Sequence, residues 1–341
     1  MTEQQLIQNF TFILIQASLG FGVAIVLTPI YTFFAFRLQL WKKIRETTTT
    51  GEKAKVFTSL HAEKHKRNIP TMAGVVMIIA ITIVTVLLNF SRSQTYLPIF
   101  GLLAAGSIGL LDDIINIRGS GKGVAGLKST IKFLLILLIA VAGALYFYFK
   151  LNYSVIHIPA IGNFEIGILY IPLFILVIVS TANAVNITDG LDGLSGGLLS
   201  IAFGAFAIIA LAQGHIGIAG FCMAAVGAVL AYTWFNIFPA RFFMGDVGSF
   251  ALGTALGVIA MLTNSVFVLP IIGLVFVAEA GSSVVQILSK KIFKRKIFIS
   301  APLHHHLEAI GWPETKITMR FWVIGVVCAS IGVMIGLVGR G

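Results

Sequence analysis

Long apolar runs, separated by short polar or basic segments, make up most of this chain. A helix needs roughly 20 apolar residues to cross a membrane, and the pattern predicts about ten transmembrane helices. The predicted spans are residues 11–36, 70–90, 96–111, 130–149, 168–185, 196–213, 217–236, 248–264, 267–288 and 319–338. We therefore expect an all-α integral membrane protein that forms a single domain over residues 1–341.

The composition supports a membrane protein, because 57% of the residues are hydrophobic and only 11% are charged. The net charge of +11 does not indicate nucleic-acid binding, since the basic residues cluster in loops between apolar spans. Membrane orientation and contact with anionic lipid explain that distribution better. The two cysteines, Cys222 and Cys328, lie inside apolar runs, so neither a disulfide nor a metal pair is expected.

The basic residues also predict the orientation of the chain. One set of alternate loops, together with the adjoining helix ends, holds 21 of the 24 lysines and arginines. These loops are residues 37–69, 112–129, 186–195, 237–247 and 289–318. Cytoplasmic loops carry the positive excess, so we expect these five loops inside the cell and both termini outside. On the outer side, residues 151–166 alternate around a Pro-Ala-Ile-Gly-Asn segment, which predicts a small periplasmic hairpin.

Five aspartates lie at the ends of apolar runs on the predicted inner side: Asp112, Asp113, Asp189, Asp192 and Asp246. Acidic residues at such positions bind cations, move protons or handle phosphate through a metal. Neighbouring residues on a helix point about 100° apart. We therefore expect one acid of the pair 112–113 to face the site and the other to cap a helix or meet a basic loop. A simple stop signal at the membrane surface is the alternative.

Two further motifs strengthen the case for a metal site. Asn183, Asn186, Asp189 and Asp192 recur every three residues, a spacing that lines one face of a helix with oxygen atoms, while the glycines at 190 and 193 would let the helix loosen. A helix end with local turn chemistry is the alternative. Glycines on both sides of Asp246 permit a tight bend, although a plain turn explains that motif equally well. Oxygen ligands from three inner loops favour Mg²⁺, which binds carboxylates, substrate phosphates and water.

The last inner loop contains three consecutive histidines, at positions 304–306. Zinc-site spacings are absent around them, so hydrogen bonding to a diphosphate or proton transfer is the favoured role. A solvated loop is the alternative. Lys66 and Thr71 precede a predicted span, where a lysine and a helix N-terminus favour phosphate, although a positive-inside anchor fits as well. Glu279 is an isolated membrane acid whose partner the sequence does not identify.

Taken together, these motifs resemble those of the polyprenyl-phosphate N-acetylhexosamine-1-phosphate transferases, and within them the phospho-N-acetylmuramoyl-pentapeptide transferase family. The resembling segments are residues 66–74 (KRNIPTMAG), 111–113 (LDD), 183–194 (NAVNITDGLDGL), 244–249 (MGDVGS) and 302–308 (PLHHHLE). The histidine run with its Pro-Leu lead separates the muramoyl-pentapeptide branch from relatives that use other sugars.

This resemblance implies an enzyme of the bacterial cytoplasmic membrane with its active site on the cytoplasmic side. It implies transfer of phospho-MurNAc-pentapeptide from UDP-MurNAc-pentapeptide to undecaprenyl phosphate, giving lipid I and UMP in peptidoglycan synthesis. It also implies a Mg²⁺ cofactor and a homodimer. Asp246 is implied as the metal ligand and Asp112 as the base, with Asp113 beside it. The implied substrate-binding residues are Lys66, Thr71, Lys128, Asn183, Asn186, Asp189, Asp192, Gln286, His304, His305 and His306.

Two other functions remain open from the sequence. A sister transferase that moves GlcNAc-1-phosphate from UDP-GlcNAc would share the aspartates, so these cannot exclude it. An ion-coupled transporter would also place acidic residues in the membrane, but near mid-span and within an internal repeat. The acids here cluster at one surface and no repeat is evident, which makes a transporter the weaker alternative.

Overall fold

The structure is a computed structural model that describes residues 2–41, 68–91, 94–119 and 126–338. Within these residues the chain forms helices and one small sheet. The helices are α1 Glu3–Arg37, α2 Gly74–Leu88, α3 Tyr96–Arg118, α4 Ser129–Phe149, α5 Tyr170–Thr188, α6 Leu194–Ala212, α7 Ile216–Asn236, α8 Gly245–Leu262, α9 Leu269–Ile272, α10 Leu274–Phe293, α11 Leu303–Ala309 and α12 Glu314–Val338. Each predicted span coincides with one of these helices or, in one case, with two.

Eight helical segments of the described chain are long and apolar enough to cross a membrane. They are α1, α3, α4, α6, α7, α8, α12 and α5 with the short 3₁₀ turn before it. Helix α2 is apolar but has only 15 residues. The predicted ninth span differs from expectation, because it is divided at Gly273 into the short α9 and the longer α10. The prediction of a helical membrane protein is confirmed.

Helices α6, α7 and α8 form the interior, while α1, α4 and α12 lie at the periphery. Of an apolar stretch of 18 residues, 94% is buried in α8 but only 22% in α1 and α4. The outer helices keep apolar side chains exposed, as a lipid-facing surface requires. Glycines bring the layers close together: a Cβ at Gly20 of α1 would collide with the backbone of Ala224 in α7.

The start of α8 is held between α2 and α3 by similar glycine contacts. A Cβ at Gly109 of α3 would collide with the backbone of Asp246, and one at Gly74 of α2 would collide with the backbone of Gly248. Small residues let helix backbones approach this closely in a membrane protein. The packing therefore places Asp246 directly beside the last turns of α3.

The predicted hairpin is confirmed as two antiparallel strands, β1 Val155–Ile158 and β2 Gly162–Glu165. The backbone N–H of His157 donates to the side-chain oxygen of Asn264 (3.0 Å), which joins the hairpin to the chain just after α8. Since Asp246 lies at the beginning of α8, the hairpin lies at the opposite end of that helix from the acidic residues.

Candidate active site

Three of the predicted aspartates converge where α3 approaches its end and α8 begins. One carboxylate oxygen each from Asp112, Asp113 and Asp246 lies within 4.8 Å of the other two. Asp112 and Asp113 are buried, whereas 13% of the Asp246 side chain is exposed. We call these three residues the acidic cluster. Both Asp112 and Asp113 belong to the cluster, although neighbouring side chains on a helix point about 100° apart. They can do so because the start of α8 packs closely against α3.

Asp113 orients the first turn of α8. Its Oδ2 accepts a hydrogen bond from the backbone N–H of Val247 (3.1 Å). The first N–H groups of a helix lack intrahelical partners, and the helix dipole favours a carboxylate there. Gly245 has φ +75°, and a Cβ at this position would collide with Asp113 Oδ2. The sequence analysis expected one acid of the pair to cap a helix, and Asp113 does so within the acidic cluster.

Asp112 meets the loop that leads into α4. Its Oδ1 accepts from the backbone N–H of Leu127 (2.6 Å). Gly126, with φ +86°, lets the loop approach, since a Cβ there would lie 2.7 Å from Asp112 Oδ1. These contacts hold the carboxylate in one orientation toward the first turn of α4.

Lys132 in that first turn joins the acidic cluster electrostatically. Its Nζ lies 3.0 Å from Asp246 Oδ2 and 3.3 Å from Asp112 Oδ2. Lys132, at a helix end that adjoins a predicted inner loop, is not among the predicted site residues. Its position was a usable signal, because a lysine inside an apolar helix is costly without a partner. Lys128, which was predicted, is exposed at the residue before α4.

The acidic cluster has the composition of a divalent cation site. Taken by themselves, three ionised carboxylates and one lysine ammonium carry two net negative charges. Carboxylate oxygens are hard ligands of the kind that Mg²⁺ prefers. Asp246, the most exposed of the three, offers the oxygen that solvent or substrate reaches most easily. The residues present therefore fit a divalent metal ion.

The series of Asn and Asp residues at 183–192 follows a helix for only part of its length. Asn183 donates to the carbonyl of Val179 in its own helix (2.8 Å), and Asn186 donates to Ser249 Oγ in α8 (2.8 Å). Helix α5 then ends at Thr188, so the last two acids lie beyond it. The expectation that all four line one helical face is wrong, because the glycines at 190 and 193 end the helix there.

Asp189 and Asp192 lie in the turn between α5 and α6. Asp189 is the residue that directly follows α5. Asp192 is buried, and its Oδ2 accepts from the backbone N–H of Ala240 (2.9 Å). The backbone N–H of Asp192 donates to Glu314 Oε1 (2.6 Å) at the start of α12. Asp192 thus connects three segments of the chain.

The three histidines lie on the short helix α11 and have different partners. Nδ1 of the buried His304 lies 2.7 Å from Glu279 Oε2 in α10. His305 Nδ1 lies 2.7 Å from Glu308 Oε2 within α11. His306 Nδ1 accepts from the backbone N–H of Ile299 (3.3 Å). Their contacts differ, so the three imidazoles are positioned for separate tasks and not for one shared metal.

Gln286 holds the segment that leads toward α11. Its Oε1 accepts from the backbone N–H groups of Ile297 and Phe298, both at 3.0 Å, and its Nε2 donates to the carbonyl of Phe298 (2.8 Å). The side-chain amide of Gln286, a predicted substrate-binding residue, therefore fixes the backbone of the segment that leads to α11, which we call the histidine helix.

Thr71 borders the acidic cluster, while Lys66 lies outside the described residues. Thr71 is buried, and its carbonyl accepts from the hydroxyl of Tyr31 (2.7 Å). A Cβ at Gly245 would lie 2.9 Å from Thr71 Oγ1, on the same side as Asp113. The segment before α2 thus lies beside the acidic cluster, and the role of Thr71 in substrate binding stays a prediction.

Helix α5 and the turn after it connect the acidic cluster to the histidine helix. Asn186 reaches Ser249, three residues after Asp246. Four residues beyond Asn186, Gly190 lies directly against the imidazole of His304. The two groups therefore belong to one continuous region at the same ends of the helices.

Known proteins resemble this chain over nearly its whole length. A phospho-N-acetylmuramoyl-pentapeptide-transferase of Anoxybacillus flavithermus is 40% identical over 335 residues, covering 96% of this chain and 98% of the relative. One of Geobacillus thermodenitrificans is 39% identical over 332 residues, 95% of this chain and 97% of the relative. One of Chloroflexus aurantiacus is 36% identical over 347 residues, 98% and 92% respectively. A family model described as glycosyl transferase family 4 matches residues 95–264.

Proposed function

Because this chain belongs to the phospho-N-acetylmuramoyl-pentapeptide-transferase family, we propose that it transfers phospho-MurNAc-pentapeptide from UDP-MurNAc-pentapeptide to undecaprenyl phosphate. The products are lipid I and UMP, and the reaction is a step of peptidoglycan synthesis. The observation that carries the proposal is the convergence of Asp112, Asp113 and Asp246 around Lys132 at the ends of membrane helices.

The place of this cluster suits the two substrates. Undecaprenyl phosphate is held in the membrane by its lipid chain, so its phosphate lies at the membrane surface. The donor is a water-soluble anion that approaches from the cell interior. Charged side chains at helix ends are where the two meet. Because both substrates are anionic, positive charge at the site must offset their repulsion.

Asp246, with Asp112 and Asp113 beside it, would hold Mg²⁺, which would supply positive charge for the diphosphate of the donor. The ammonium of Lys132, 3.0 Å from Asp246 and 3.3 Å from Asp112, limits repulsion between these two carboxylates. Asp113 keeps the start of α8 in place through its hydrogen bond from Val247. Each residue of the acidic cluster therefore has a separate role.

The chemical step is direct attack by the lipid phosphate. Asp112 accepts the proton of that phosphate, and one phosphate oxygen then attacks the phosphorus that bears the sugar. The bond from this phosphorus to the oxygen of UMP breaks, and UMP leaves with the electron pair. Asp112 suits the role of base because Leu127 and Lys132 hold its carboxylate in a fixed orientation. A covalent phospho-sugar enzyme trapped without lipid acceptor would overturn this step.

The remaining residues shape the pocket for the donor. The direct contacts assigned to substrate are those of Lys66, Thr71, Lys128, Asn183, Asp189, His304, His305 and His306. Asn186, Asp192 and Gln286 shape the pocket indirectly, since each bonds another segment of the chain. This division separates residues that touch the donor from residues that hold the surrounding backbone.

The positive excess in the predicted inner loops supports a site on the cytoplasmic side of the bacterial inner membrane, within a proposed single domain of residues 1–341. Both termini then lie outside, and the hairpin is periplasmic. The homodimer implied by the family resemblance stays a prediction. Crosslinking of single cysteines placed in α1 and α12, the helices with mostly exposed faces, tests it.

Release of UMP from UDP-MurNAc-pentapeptide by the purified protein tests the proposed function. We expect release only when both polyprenyl phosphate and Mg²⁺ are present, and no release from UDP-GlcNAc. Release from UDP-GlcNAc alone would assign the chain to the sister reaction. Release that does not depend on lipid phosphate would contradict a transferase.

A further inference from the structure

Glu279 and His304 form a buried pair, and the reaction described above assigns no role to Glu279. The side chain of Glu279, in α10, is completely buried, and so is that of His304. A carboxylate inside a membrane helix costs several kcal/mol unless it is paired. Glu279 is paired twice with the same residue, through the ring and through the backbone of His304. A costly acid that serves a single histidine indicates a role for that histidine.

The two contacts fix the orientation of the imidazole. Glu279 Oε1 accepts from the backbone N–H of His304 (3.1 Å), while Oε2 lies 2.7 Å from Nδ1 of the ring. An ionised carboxylate only accepts hydrogen bonds, so Nδ1 carries the hydrogen. In the neutral ring, Nε2 then has the lone pair and can accept a hydrogen bond. The pair therefore selects one tautomer of His304.

The opposite ring nitrogen is buried without a partner in the described part of the chain. Nε2 of His304 has no hydrogen-bond partner among the residues that the structure describes. Buried polar atoms in native proteins almost always have one, and an exception requires an explanation. Supply of that partner by a substrate is one explanation and bound water is another.

Nε2 faces the turn between α5 and α6. A Cβ at Gly190 would collide with Nε2 and with the neighbouring ring carbon of His304. Gly190 directly follows Asp189 in the turn, and Asp192 lies two residues further on. The glycine leaves room for the imidazole beside the part of the chain that is assigned to the donor.

We propose that Glu279 is a positioning residue, which fixes His304 so that Nε2 accepts a hydrogen bond from an N–H or O–H group of the bound nucleotide-sugar donor. This inference rests on the proposed function. The donor offers such groups in its uracil, ribose, sugar and peptide, whereas the lipid phosphate offers only the proton that Asp112 accepts. Loss of Glu279 must therefore impair use of the donor and spare use of the lipid.

A double-mutant cycle on UMP release tests whether Glu279 acts through His304. The variants are E279Q, which keeps the size and an acceptor oxygen, H304N, and the two combined. We expect each single variant to lower kcat/KM for the donor about tenfold, as is typical for the partner that orients an imidazole. The combined variant should also lose about tenfold, and not about a hundredfold. KM for polyprenyl phosphate should stay within twofold, about the precision of such cycles.

Ser282→Ala is the matched control for E279Q. Ser282 is buried one turn along α10, and its hydroxyl donates only to the carbonyl of Glu279 among its described contacts. We expect wild-type activity from it. Additive losses in the combined variant, an equal loss for donor and lipid, or an E279Q enzyme indistinguishable from Ser282→Ala would each overturn the positioning role. Such results with an active wild-type enzyme would leave the proposed function standing.

A second variant, Gly190→Ala, disturbs the same imidazole on its Nε2 side. Its result does not depend on whether E279Q folds. We expect the same selective loss for the donor, because the added methyl group must displace the ring. Gly281→Ala in α10 is its control, since a Cβ there meets nothing within 4 Å. Equal activity of these two alanine variants would contradict the inference. A wild-type chain without UMP release would overturn the proposed function and the positioning role together.

Discussion

The acidic cluster and the Glu279–His304 pair are both charged groups inside a membrane protein, but they are built differently. In the acidic cluster, three carboxylates share one lysine, and Asp246 is partly exposed. In the pair, one carboxylate faces one imidazole and both are completely buried. Excess negative charge near solvent attracts a cation, whereas a carboxylate that is hydrogen-bonded to an imidazole away from solvent holds a geometry. The first arrangement suits chemistry and the second suits positioning.

Because the two groups are built differently, substitutions in them should differ in their effects on activity and on stability. Removal of one partner from a buried hydrogen-bonded pair typically costs about 1–3 kcal/mol, and more when a charge is left behind, because the remaining polar group stays buried without a partner. Removal of one carboxylate from a cluster with excess negative charge relieves repulsion instead. Variants of the acidic cluster should therefore lose activity and keep their melting temperature, while nonconservative changes at Glu279 should lower both.

Asp246→Ala should have the largest effect on activity. We expect UMP release to fall by about 10³-fold or more, since the groups that stabilise transition-state charge contribute at least that much. The remaining activity should depend less on Mg²⁺. A Mg²⁺ titration of UMP release together with a thermal melt measures both effects. Retained activity with an unchanged response to Mg²⁺ would rule out Asp246 as the ligand.

Asp112→Asn tests the proposed base while keeping the shape of the side chain. We expect a loss of about 10²- to 10⁴-fold in kcat, the range of general acid–base catalysis. The fold should remain intact, because the amide oxygen can still accept from Leu127. Single-turnover kinetics at saturating donor and lipid checks this. An unaffected kcat would show that another group accepts the proton.

Lys132→Gln should have a smaller effect, because the bound cation supplies part of the same positive charge. We expect kcat/KM to fall by about tenfold to a hundredfold, with partial recovery at higher Mg²⁺. Lys150→Gln is the matched control, since Lys150 is an exposed lysine just beyond the other end of α4. If both variants lost activity equally, the contacts of Lys132 with Asp112 and Asp246 would not matter.

His305→Ala should have the smallest effect of the four. His305 pairs with Glu308 within α11 and is only half-buried, so its loss should change little beyond the histidine helix. We expect KM for the donor to rise several-fold, about 1 kcal/mol for one hydrogen bond, with KM for the lipid unchanged. A defect confined to lipid affinity would contradict the assignment of this histidine to the donor.

The sequence predicted the helices and the acidic residues well, because both signals are local. Apolar runs of the right length became helices, and the outer hairpin formed between residues 151 and 166 as expected. Asp112, Asp113 and Asp246 stood out because carboxylates at the ends of apolar runs are costly without a function. The predicted alternation of the spans placed all these ends on one side, whereas their convergence depends on the close packing of α3 against α8.

The partners of these residues could not be predicted, because they depend on how distant helices pack. Lys132 reaches Asp246 across 114 positions of the chain, and only the approach of α4 to α3 and α8 brings them together. His304 and Glu279 lie 25 residues apart on two helices joined by an irregular segment. The predicted span of residues 168–185 ended close to the observed end of α5 at Thr188, but the spacing of Asn183 and Asn186 gave no indication of their different partners.

Binding of Mn²⁺ as a paramagnetic substitute for Mg²⁺, followed by electron paramagnetic resonance, tests the central claim most directly. The claim is that carboxylates from α3 and α8 form one divalent cation site. We predict that the purified wild-type protein binds a single Mn²⁺ per chain, that Mg²⁺ displaces it, and that Asp246→Ala abolishes binding while Ser282→Ala retains it. Equal Mn²⁺ affinity and stoichiometry in wild type and Asp246→Ala would contradict the account.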